Sequence, residues 1–422
     1  MSLKLSAHGV QVTSAVFHSV PEVGNEGAPP PAAAIPLPLT ATSVGLSHLG
    51  PRGGLPQVEL SISGSSGSGN VTVPLSAPPG DRSRGWAQLS CSAPNVLAYV
   101  LFGEAEAEDT VVMIAYPGTL EFMSLLPDEW SLGDVSLCGT HESSAQTGLF
   151  ISKCQDRDVA TQLADGVRVL DVRLRLGPTG ELETYHGIRA QNSTLKVYLD
   201  AVDAFLAAHP RESIMLSIKE ETPPDAPDFS RVVYDALKAY GTRFVFTEHV
   251  PRLGEIRGRA QVMTRFGRQE NAPWPDGLGF HPSRWPDSVK EGFDCDCHGT
   301  PVRVSDWYAL DSALDIPLKA EAVTTFLEPT TTCAPASQIS IAFASAAKFP
   351  FATPQWVAKG VGAPTLGLGI HGVNARVVEW LLRQVVLGRR PRAIVMADFY
   401  EYTGSGEAGL GALLAALNYL EQ

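Results

Sequence analysis

The sequence predicts an α/β protein in which an all-β, sandwich-like N-terminal domain precedes a barrel of eight strand and helix repeats. The chain has 422 residues, which suits two domains better than one. Residues 1 to about 115 contain short alternating runs separated by turn residues, and from about Leu120 strand-like apolar runs alternate with helical ones. We expect the first domain to span residues 1–118 and the second to span residues 119–422.

The first domain is poor in helix-forming residues and rich in Gly, Pro and Ser. Its clearest strand candidates are GVQVTSAVF (9–17), QVELSIS (57–63), NVTVPLS (70–76) and VLAYVLFG (96–103). The runs at 24–39 and 63–70 are predicted to be loops, because neither can supply a buried face. This domain either stabilises or spaces the second one, or it binds a membrane or a partner, and its sequence leaves both alternatives open.

Eight apolar runs in the second domain have the length and residue types of buried parallel strands, and eight is the strand number of a closed α/β barrel. They are VSLCGTH (135–141), VRVLDVRL (167–174), LETYHG (182–187), SIMLSIKE (213–220), AQVMTRF (260–266), VRVSDWY (302–308), ISIAFAS (339–345) and AIVMADFY (393–400).

Seven of these runs end in charged residues or histidines, and a parallel barrel gathers the C-terminal ends of its strands at one face. The residues are His141, Asp171 with Arg173, His186, Lys219, Arg265, Asp306 and Asp398. We expect them to share one polar site. Two imidazoles can divide proton removal and proton donation, and a guanidinium between them can hold a phosphoryl group as its charge grows. The residues alone therefore favour phosphoryl transfer.

Composition excludes some other classes. The net charge of −13 argues against a nucleic-acid partner, because a polyanion would be repelled. No apolar run approaches the roughly 20 residues of a membrane-spanning helix, and the first part of the chain lacks the apolar core of a secretory signal. We expect a soluble or peripheral membrane protein of open compartment. Cys295 and Cys297 form a weak zinc motif, because no second cysteine pair accompanies them.

Four segments of the second domain resemble a known family. They are GTHESSAQTG (139–148), CQDRDVATQLADGVRVLDVRL (154–174), YHG (185–187) and DAFLAAHPRESIMLSIKEE (203–221). These segments resemble the catalytic X domain of phosphatidylinositol-specific phospholipase C, and they look most like its small metal-independent bacterial-type members. The resemblance covers about residues 120–402 and implies that the barrel is a distorted TIM barrel.

The resemblance also implies a reaction in which the inositol 2-hydroxyl attacks the neighbouring phosphodiester, diacylglycerol leaves and a 1,2-cyclic inositol phosphate forms. The substrate would be phosphatidylinositol or a glycosylated inositol phospholipid, reached by transient contact with a membrane interface. By position, the resemblance makes His141 the base, His186 the acid, Asp398 the carboxylate that orients the base, Arg173 with Asp171 beside it the phosphorane-stabilising group, and Lys219, Arg265, Asp306 and Tyr308 the contacts to inositol.

Two departures from the family pattern matter. The metal-independent members usually carry Asp directly after the first histidine, whereas this chain has Glu142, which is one methylene longer. We expect Glu142 to reach His186 with altered geometry. The calcium-dependent relatives carry further carboxylates on the following strand, where this chain has Arg173. A guanidinium there would repel Ca²⁺ while supplying positive charge, so we expect no metal cofactor.

Two other hypotheses stay open. A barrel phosphodiesterase of the glycerophosphodiesterase or sphingomyelinase D type would need an E-x-D metal-binding pair where this chain has Asp171 and Arg173. A catalytically weak inositide-binding protein would need the contacts to inositol but not both proton carriers. In the long insertion after Arg265, Trp274 and Trp285 either meet the membrane interface or pack beneath their loop.

Overall fold

The computed structural model of this chain describes residues 2–19, 34–36, 43–45, 56–64, 67–75, 79–103, 108–148, 151–221, 228–266, 278–332, 338–406 and 408–420. The first part of the chain is built mainly from strands. Its elements are β1 (Ser2–His8), β2 (Val10–Ser19), β3 (Ala34–Pro36), β4 (Ser43–Gly45), β5 (Pro56–Gly64), β6 (Gly67–Pro74), α1 (Pro79–Arg84), β7 (Trp86–Gln88), β8 (Ser90–Cys91), β9 (Val96–Leu101) and β10 (Thr110–Ala115).

These strands form two five-stranded sheets, with the orders β4-β1-β10-β9-β7 and β3-β2-β5-β6-β8. Strand β1 pairs with β10 in parallel, and the other pairs are antiparallel. Each sheet contributes one apolar face to a shared core that includes Val12, Val58, Leu60, Val71 and Met113. Alternation of side chains along each strand supplies this face, as the alternating sequence pattern predicts.

Both predicted loops are wrong in part, because the run at 24–39 contains β3 and, in the run at 63–70, β5 continues to Gly64 and β6 begins at Gly67. Strand β6 begins at Gly67 and pairs with β5 in an antiparallel hairpin. A Cβ atom added at Gly69 would lie 2.4 Å from the backbone nitrogen of Ala93. The absence of side chains there therefore permits a close approach between two backbones, which explains why the strand carries loop-like residues.

The second part of the chain alternates strands with helices. Its elements are β11 (Leu137–Thr140), α2 (Val159–Ala164), β12 (Val167–Leu176), β13 (Leu182–His186), β14 (Arg189–Thr194), α3 (Leu195–Ala208), β15 (Ile214–Glu220), α4 (Phe229–Lys238), β16 (Phe244–Val245), α5 (Leu253–Ile256), β17 (Ala260–Thr264), β18 (Phe293–Cys297), β19 (Thr300–Ser305), α6 (Ile316–Leu327), β20 (Ile339–Phe343), α7 (Pro354–Lys359), β21 (Gly360–Ala363), β22 (Leu368–His371), α8 (Val373–Val386), β23 (Ile394–Ala397) and α9 (Leu410–Leu417).

Its large sheet has the order β16-β17-β15-β12-β11-β23-β20-β19-β18. Within the described residues, every neighbouring pair from β16 to β19 along this order is parallel, and β18 joins the edge in antiparallel orientation. Strand interiors such as β17 and β20 are buried throughout, as a parallel sheet covered by helices requires. The chain is thus an α/β protein.

The prediction that LETYHG (182–187) is a strand of the parallel set is wrong. This run is β13, which pairs antiparallel with both β12 and β14. Only a short turn separates β12 from β13, whereas a parallel connection needs a crossover of a dozen or more residues. The missed parallel strand is β16, whose two residues are too few to give a periodic signal.

In the sheet β4-β1-β10-β9-β7, the strands β9 and β10 are buried on both faces. On β10, Val111 and Met113 face the other five-stranded sheet, while Val112 and Ile114 belong to the core of the second part. Trp86 is fully buried in the same second core, and its indole nitrogen donates to the carbonyl of Ala375 at 2.9 Å. The predicted domain boundary after residue 118 stays a prediction. Apolar side chains from both sides of this boundary pack in one core.

No helix within the described ranges is long and apolar enough to cross a membrane.

Candidate active site

The C-terminal ends of the parallel strands surround a cavity of about 780 Å³. The cavity is lined by eight of the ten residues that the sequence analysis selected, namely His141, Glu142, Arg173, His186, Lys219, Arg265, Asp306 and Tyr308. The other two, Asp171 and Asp398, are buried behind this lining. The structure therefore brings all ten together at one end of the parallel sheet, where strand polarity gathers polar residues.

His141, directly after β11, is held between a carboxylate and a guanidinium. Its Nδ1 lies 2.8 Å from Oδ1 of Asp398, and its Nε2 lies 2.8 Å from Nη2 of Arg173. Because a guanidinium can only donate, Nε2 accepts from it, and the proton of the neutral ring sits on Nδ1 and is donated to Asp398. This tautomer leaves a lone pair on Nε2, so the ring is prepared to take a proton.

The surroundings of His141 fix both its charge and its position. Burial lowers its pKa, but the Asp398 carboxylate raises it despite the opposing charge of Arg173, and the net pKa lies above the ordinary histidine value. The side-chain amide of Gln155 donates to the carbonyl of His141 at 2.8 Å and to that of Ala397 at 2.9 Å. These bonds join the ends of β11 and β23, the strands whose ends carry the histidine and the aspartate.

Arg173 on β12 is the centre of the charge network. Its Nη1 lies 2.5 Å from Oε1 of Glu142 and 3.3 Å from Oε1 of Glu221, and its Nε donates to Asp171 at 3.2 Å. Burial alone would lower the pKa of Arg173, but these carboxylates raise it well above the ordinary value. The guanidinium is therefore always charged and is held in one orientation, with Nη2 toward His141.

Asp171 is buried behind the cavity lining and contacts Arg173 and Arg265. It is fully buried, it accepts the backbone N–H of Glu142 at 3.2 Å, and its Oδ1 lies 3.6 Å from Nη1 of Arg265. Burial would raise the pKa of Asp171, but Arg173 and Arg265 outweigh burial and hold that pKa well below the ordinary value. Asp171 therefore stays ionised and positions two cationic side chains without lining the cavity.

His186, at the end of β13, faces Glu142 across the cavity lining. Its Nδ1 lies 2.8 Å from the carbonyl of Ser152 and 3.6 Å from Oε2 of Glu142. A carbonyl can only accept, so Nδ1 carries a proton and donates it. Glu142 adopts a φ of +45°, and its other oxygen pairs with Arg173. Glu142 thus comes within ion-pair distance of His186 but makes no hydrogen bond to it, and its other oxygen is held by the guanidinium.

An aromatic and cationic wall closes the side of the cavity near β17 and β19. The guanidinium of Arg265 lies 3.7 Å from the ring centroid of Trp285, and the indole nitrogen of Trp285 donates to Asp306 at 2.8 Å. Trp285 is half-buried and lines the cavity, where its ring also packs against Phe343. Trp274 lies outside the described residues. Nε and Nη1 of Arg265 are buried and make no hydrogen bond to a described residue.

Lys219 and Tyr308 complete the lining. Burial lowers the pKa of Lys219, whose Nζ lies 3.2 Å from Oε2 of Glu221. The hydroxyl of Tyr308 donates to the carboxylate of Asp287, and burial together with this contact raises the pKa of Tyr308 to about 12. Lys219 therefore presents a hydrogen-bond donor at the cavity, whereas the Tyr308 hydroxyl, which donates its proton to Asp287, can still accept a hydrogen bond.

Two residues of this site were not predicted from the sequence. Glu221 follows β15, and a sequence signal existed, because alternation along a strand places it on the same face as Lys219. Cys154 lies in a loop without periodicity, and its Sγ is 3.9 Å from Nδ1 of His186. Burial raises the pKa of the Cys154 thiol well above the ordinary value, so the thiol is neutral.

The carboxylates of this site do not form a Ca²⁺ site, because Ca²⁺ needs several oxygen ligands around one ion. Glu142, Asp171 and Glu221 each lie within ion-pair distance of the Arg173 guanidinium. A divalent ion could use these oxygens only after the guanidinium had left. In the part of the chain that the structure describes, Cys295 belongs to no group of residues able to hold a metal ion.

Comparison with a family model places this site in context. Residues 136–260 match the X domain of phosphatidylinositol-specific phospholipase C. The matched segment begins next to β11 and ends at the start of β17, so it contains six of the ten selected residues, namely His141, Glu142, Asp171, Arg173, His186 and Lys219.

Two curated relatives show the same similarity. The chain is 28% identical over 158 residues to 1-phosphatidylinositol phosphodiesterase of Staphylococcus aureus (strain Newman), which covers 35% of this chain and 51% of the relative. It is 25% identical over 181 residues to the protein of the same name from Listeria monocytogenes, which covers 37% of this chain and 56% of the relative. The chain thus spans about half the length of the curated relatives it matches.

Solved structures show the fold. Phosphatidylinositol-specific phospholipase C from Staphylococcus aureus superposes with a TM-score of 0.58 at 21% identity, over 71% of this chain and 98% of that one. The Listeria monocytogenes protein of that name superposes with a TM-score of 0.52 at 18% identity, over 71% and 98%.

Proposed function

We propose that this chain, whose residues 136–260 belong to the X-domain family of phosphatidylinositol-specific phospholipase C, cleaves phosphatidylinositol or a glycosylated inositol phospholipid. One observation carries the proposal. Two histidines with fixed tautomers stand at one cavity, and a guanidinium that cannot lose its charge lies beside them. This arrangement suits removal of one proton, donation of another and stabilisation of charge between them.

The reaction begins when the substrate replaces the contact between Arg173 and His141. Nε2 of His141 takes the proton of the inositol 2-hydroxyl, and the hydroxyl oxygen attacks the adjacent phosphorus. This attack needs no external nucleophile, because the hydroxyl is already held next to the phosphodiester. Asp398 accepts from Nδ1 and supports the imidazolium that forms.

Departure of the lipid completes the first step. Charge on the pentacoordinate phosphorus grows next to Arg173, whose three carboxylate contacts fix it in place. His186 gives a proton from Nε2 to the glycerol oxygen as the phosphorus–oxygen bond breaks. Diacylglycerol leaves, and a 1,2-cyclic inositol phosphate remains. The carbonyl of Ser152 accepts from Nδ1 and holds the ring of His186 in place for the transfer, with Glu142 beside it.

The inositol ring is proposed to contact Lys219, Arg265, Asp306 and Tyr308. The buried donors of Arg265 that lack a hydrogen-bond partner among the described residues support this assignment, since a sugar hydroxyl could accept from them. No metal step is proposed, because the guanidinium of Arg173 supplies the positive charge next to the phosphorus.

The fold and the membrane contact belong to the same proposal. We take the parallel sheet of residues 119–422 as a distorted TIM barrel and residues 1–118 as a sandwich-like domain. The loop after β20 contributes Ala346 and Ala347 to the cavity lining and exposes 63% of Phe349 and 57% of Phe351. Exposed aromatic side chains at the rim would enter the membrane surface that holds the substrate. One solved Staphylococcus aureus structure concerns modulation of membrane binding by that enzyme.

The test is ³¹P NMR of phosphatidylinositol in mixed micelles with the protein and excess EDTA. A growing 1,2-cyclic phosphate resonance is expected, and phosphatidylcholine micelles serve as the control because their headgroup lacks a neighbouring hydroxyl. Product only after addition of Ca²⁺ would contradict the role of Arg173. No product under either condition, together with retained binding of the micelles, would favour a catalytically weak inositide-binding protein.

A further inference from the structure

We propose that Nδ1 of His141, Sγ of Cys154 and the carboxylate of Asp398 form a binding site for a thiophilic divalent cation such as Zn²⁺, and that an ion bound there inhibits the enzyme. The inhibition rests on the function proposed above, whereas the binding does not. The three donor atoms lie within 4.8 Å of one another. Imidazole, thiolate and carboxylate are the three ligand types that zinc uses in proteins.

The separations of the donors suit one ion. Zinc bonds of about 2.0 to 2.3 Å in tetrahedral geometry place neighbouring donors roughly 3.5 Å apart. Nδ1 of His141 and Oδ1 of Asp398 are 2.8 Å apart, so this pair must open by less than an ångström. The farthest pair of the three atoms, which lie within 4.8 Å of one another, must close by up to roughly 1.3 Å. Water from the cavity would take the fourth position, as in other three-ligand zinc sites.

Burial and hydrogen bonding support a ligand at this place. Cys154 and Asp398 are buried, and Oδ2 of Asp398 makes no hydrogen bond within the described residues. A buried carboxylate oxygen without such a partner is costly, and a bound cation would satisfy it. The backbone holds Cys154 firmly, because its N–H donates to Ala145 at 2.8 Å and its carbonyl accepts from Phe399 at 2.8 Å.

The ion would enter from the cavity past the His141 ring, which lines the cavity and carries Nδ1 on the side of the buried Asp398. Binding displaces the thiol proton of Cys154, which passes to solvent, and the Nδ1 proton of His141. Since the metal then occupies Nδ1, the neutral ring carries its proton on Nε2, and the Arg173 guanidinium, which can only donate, must turn away from this nitrogen. The lone pair that would accept the 2-hydroxyl proton is lost, so the occupied enzyme has no base.

The experiment is a titration of the metal-free protein with Cd²⁺, followed by the ultraviolet absorbance of the cadmium–thiolate bond. Wild type and the control Cys91→Ser, which changes a half-buried cysteine on β8, are expected to bind one equivalent with this absorbance. Cys154→Ser should lack the absorbance. Asp398→Asn, which keeps the thiol, should weaken binding by about 10-fold or more. Equal absorbance in Cys154→Ser and wild type would overturn the proposal.

The same proteins then test inhibition, with each rate compared to that of the same variant in EDTA. Zn²⁺ should inhibit wild type and Cys91→Ser equally and reversibly, and Cys154→Ser should need at least about 10-fold more Zn²⁺ for half inhibition. Equal sensitivity of Cys154→Ser would contradict the inhibitory role. If the wild type turned over no phosphatidylinositol, the proposed function would fail, while the cadmium titration would still decide whether the site exists.

Discussion

His141 shows how much of this site is set by single contacts. One nitrogen meets a group that can only accept and the other meets a group that can only donate, so the protonation pattern of the ring follows from its neighbours. The carbonyl of Ser152, which can only accept, fixes a proton on Nδ1 of His186 in the same way. The two imidazoles are therefore distinguished by their partners rather than by their own chemistry.

Replacement of either histidine by alanine should lower turnover by about 10² to 10⁴, because each positioned acid or base typically contributes that factor. Both side chains line the cavity, so the fold should survive the loss. The ³¹P assay measures the rate, and circular dichroism measures the fold. His249→Ala is the matched control, since His249 is largely exposed and pairs only with Glu255 among the described residues. Wild-type turnover in His141→Ala or His186→Ala would remove the two-histidine mechanism.

The pH dependence should report the Asp398 contact. The pKa of His141 is raised in the folded protein, and a base works only when unprotonated, so activity should fall as pH drops through this raised pKa. Asp398→Asn removes the carboxylate that raises it. The acid limb of kcat/KM should therefore move to lower pH, on top of a reduced maximal rate. A limb that stays in place or moves to higher pH would show that Asp398 does not set this pKa.

Most residues of the cavity could be predicted, because the ends of the buried strands can be recognised in the sequence. An apolar run that stops at a charged residue marks both a strand and the face where its end lies. The position of Glu142 between Arg173 and His186 could not be predicted from the sequence, because it depends on a left-handed backbone conformation after β11. The position of Cys154 could not be predicted either, since a loop has no periodicity to indicate its neighbours.

At the scale of elements, the hairpin β13–β14 carries a residue that the sequence assigns to a barrel strand. Buried parallel strands are near-continuous apolar runs, whereas LETYHG alternates apolar and polar residues, so its pattern was one signal for an antiparallel strand. The short connection from β12 was the other. His186 is therefore positioned by a hairpin that extends β12 beyond the parallel sheet.

The loop between β20 and α7 carries the proposed membrane contact. Phe349→Ser combined with Phe351→Ser should reduce activity on phosphatidylinositol vesicles by roughly 10-fold or more, because each ring would lose apolar area buried in the lipid. Activity on a soluble inositol phosphodiester should change little. Leu387→Ser is the matched control, because Leu387 is also exposed but follows α8 near the amino end of β23, away from the cavity. Equal losses on both substrates would place the effect in the cavity instead.

At the scale of the whole molecule, the strands β9 and β10, which are buried on both faces, join the two parts of the chain. Trp86 belongs by position to the first part, yet it is buried in the core of the second. The isolated first part would expose one apolar face of the sheet that contains β9 and β10, and the isolated second part would expose the side chains that cover it. We therefore expect the described parts to unfold together.

Trp86→Ala should lower the free energy of unfolding by about 3 to 5 kcal/mol, as removal of a large buried ring typically does. The loss should appear in a single cooperative transition followed by both circular dichroism and tryptophan fluorescence. Val73→Ala, which changes a side chain buried between the two five-stranded sheets, should shift that same transition. Two separate transitions, each moved by only one of the variants, would show that the parts are independent.

The sheet that contains β9 and β10 also matters while the protein is being synthesised. β10 ends at Ala115, but the helix that covers Trp86 begins only at Val373. At about 5 to 20 residues per second, a ribosome needs on the order of 13 to 50 seconds to make the intervening chain. For that time the newly made sheet exposes an apolar face whose partner does not yet exist. Chaperone dependence during translation should therefore concentrate on this face, although Trp86 is not part of the cavity lining.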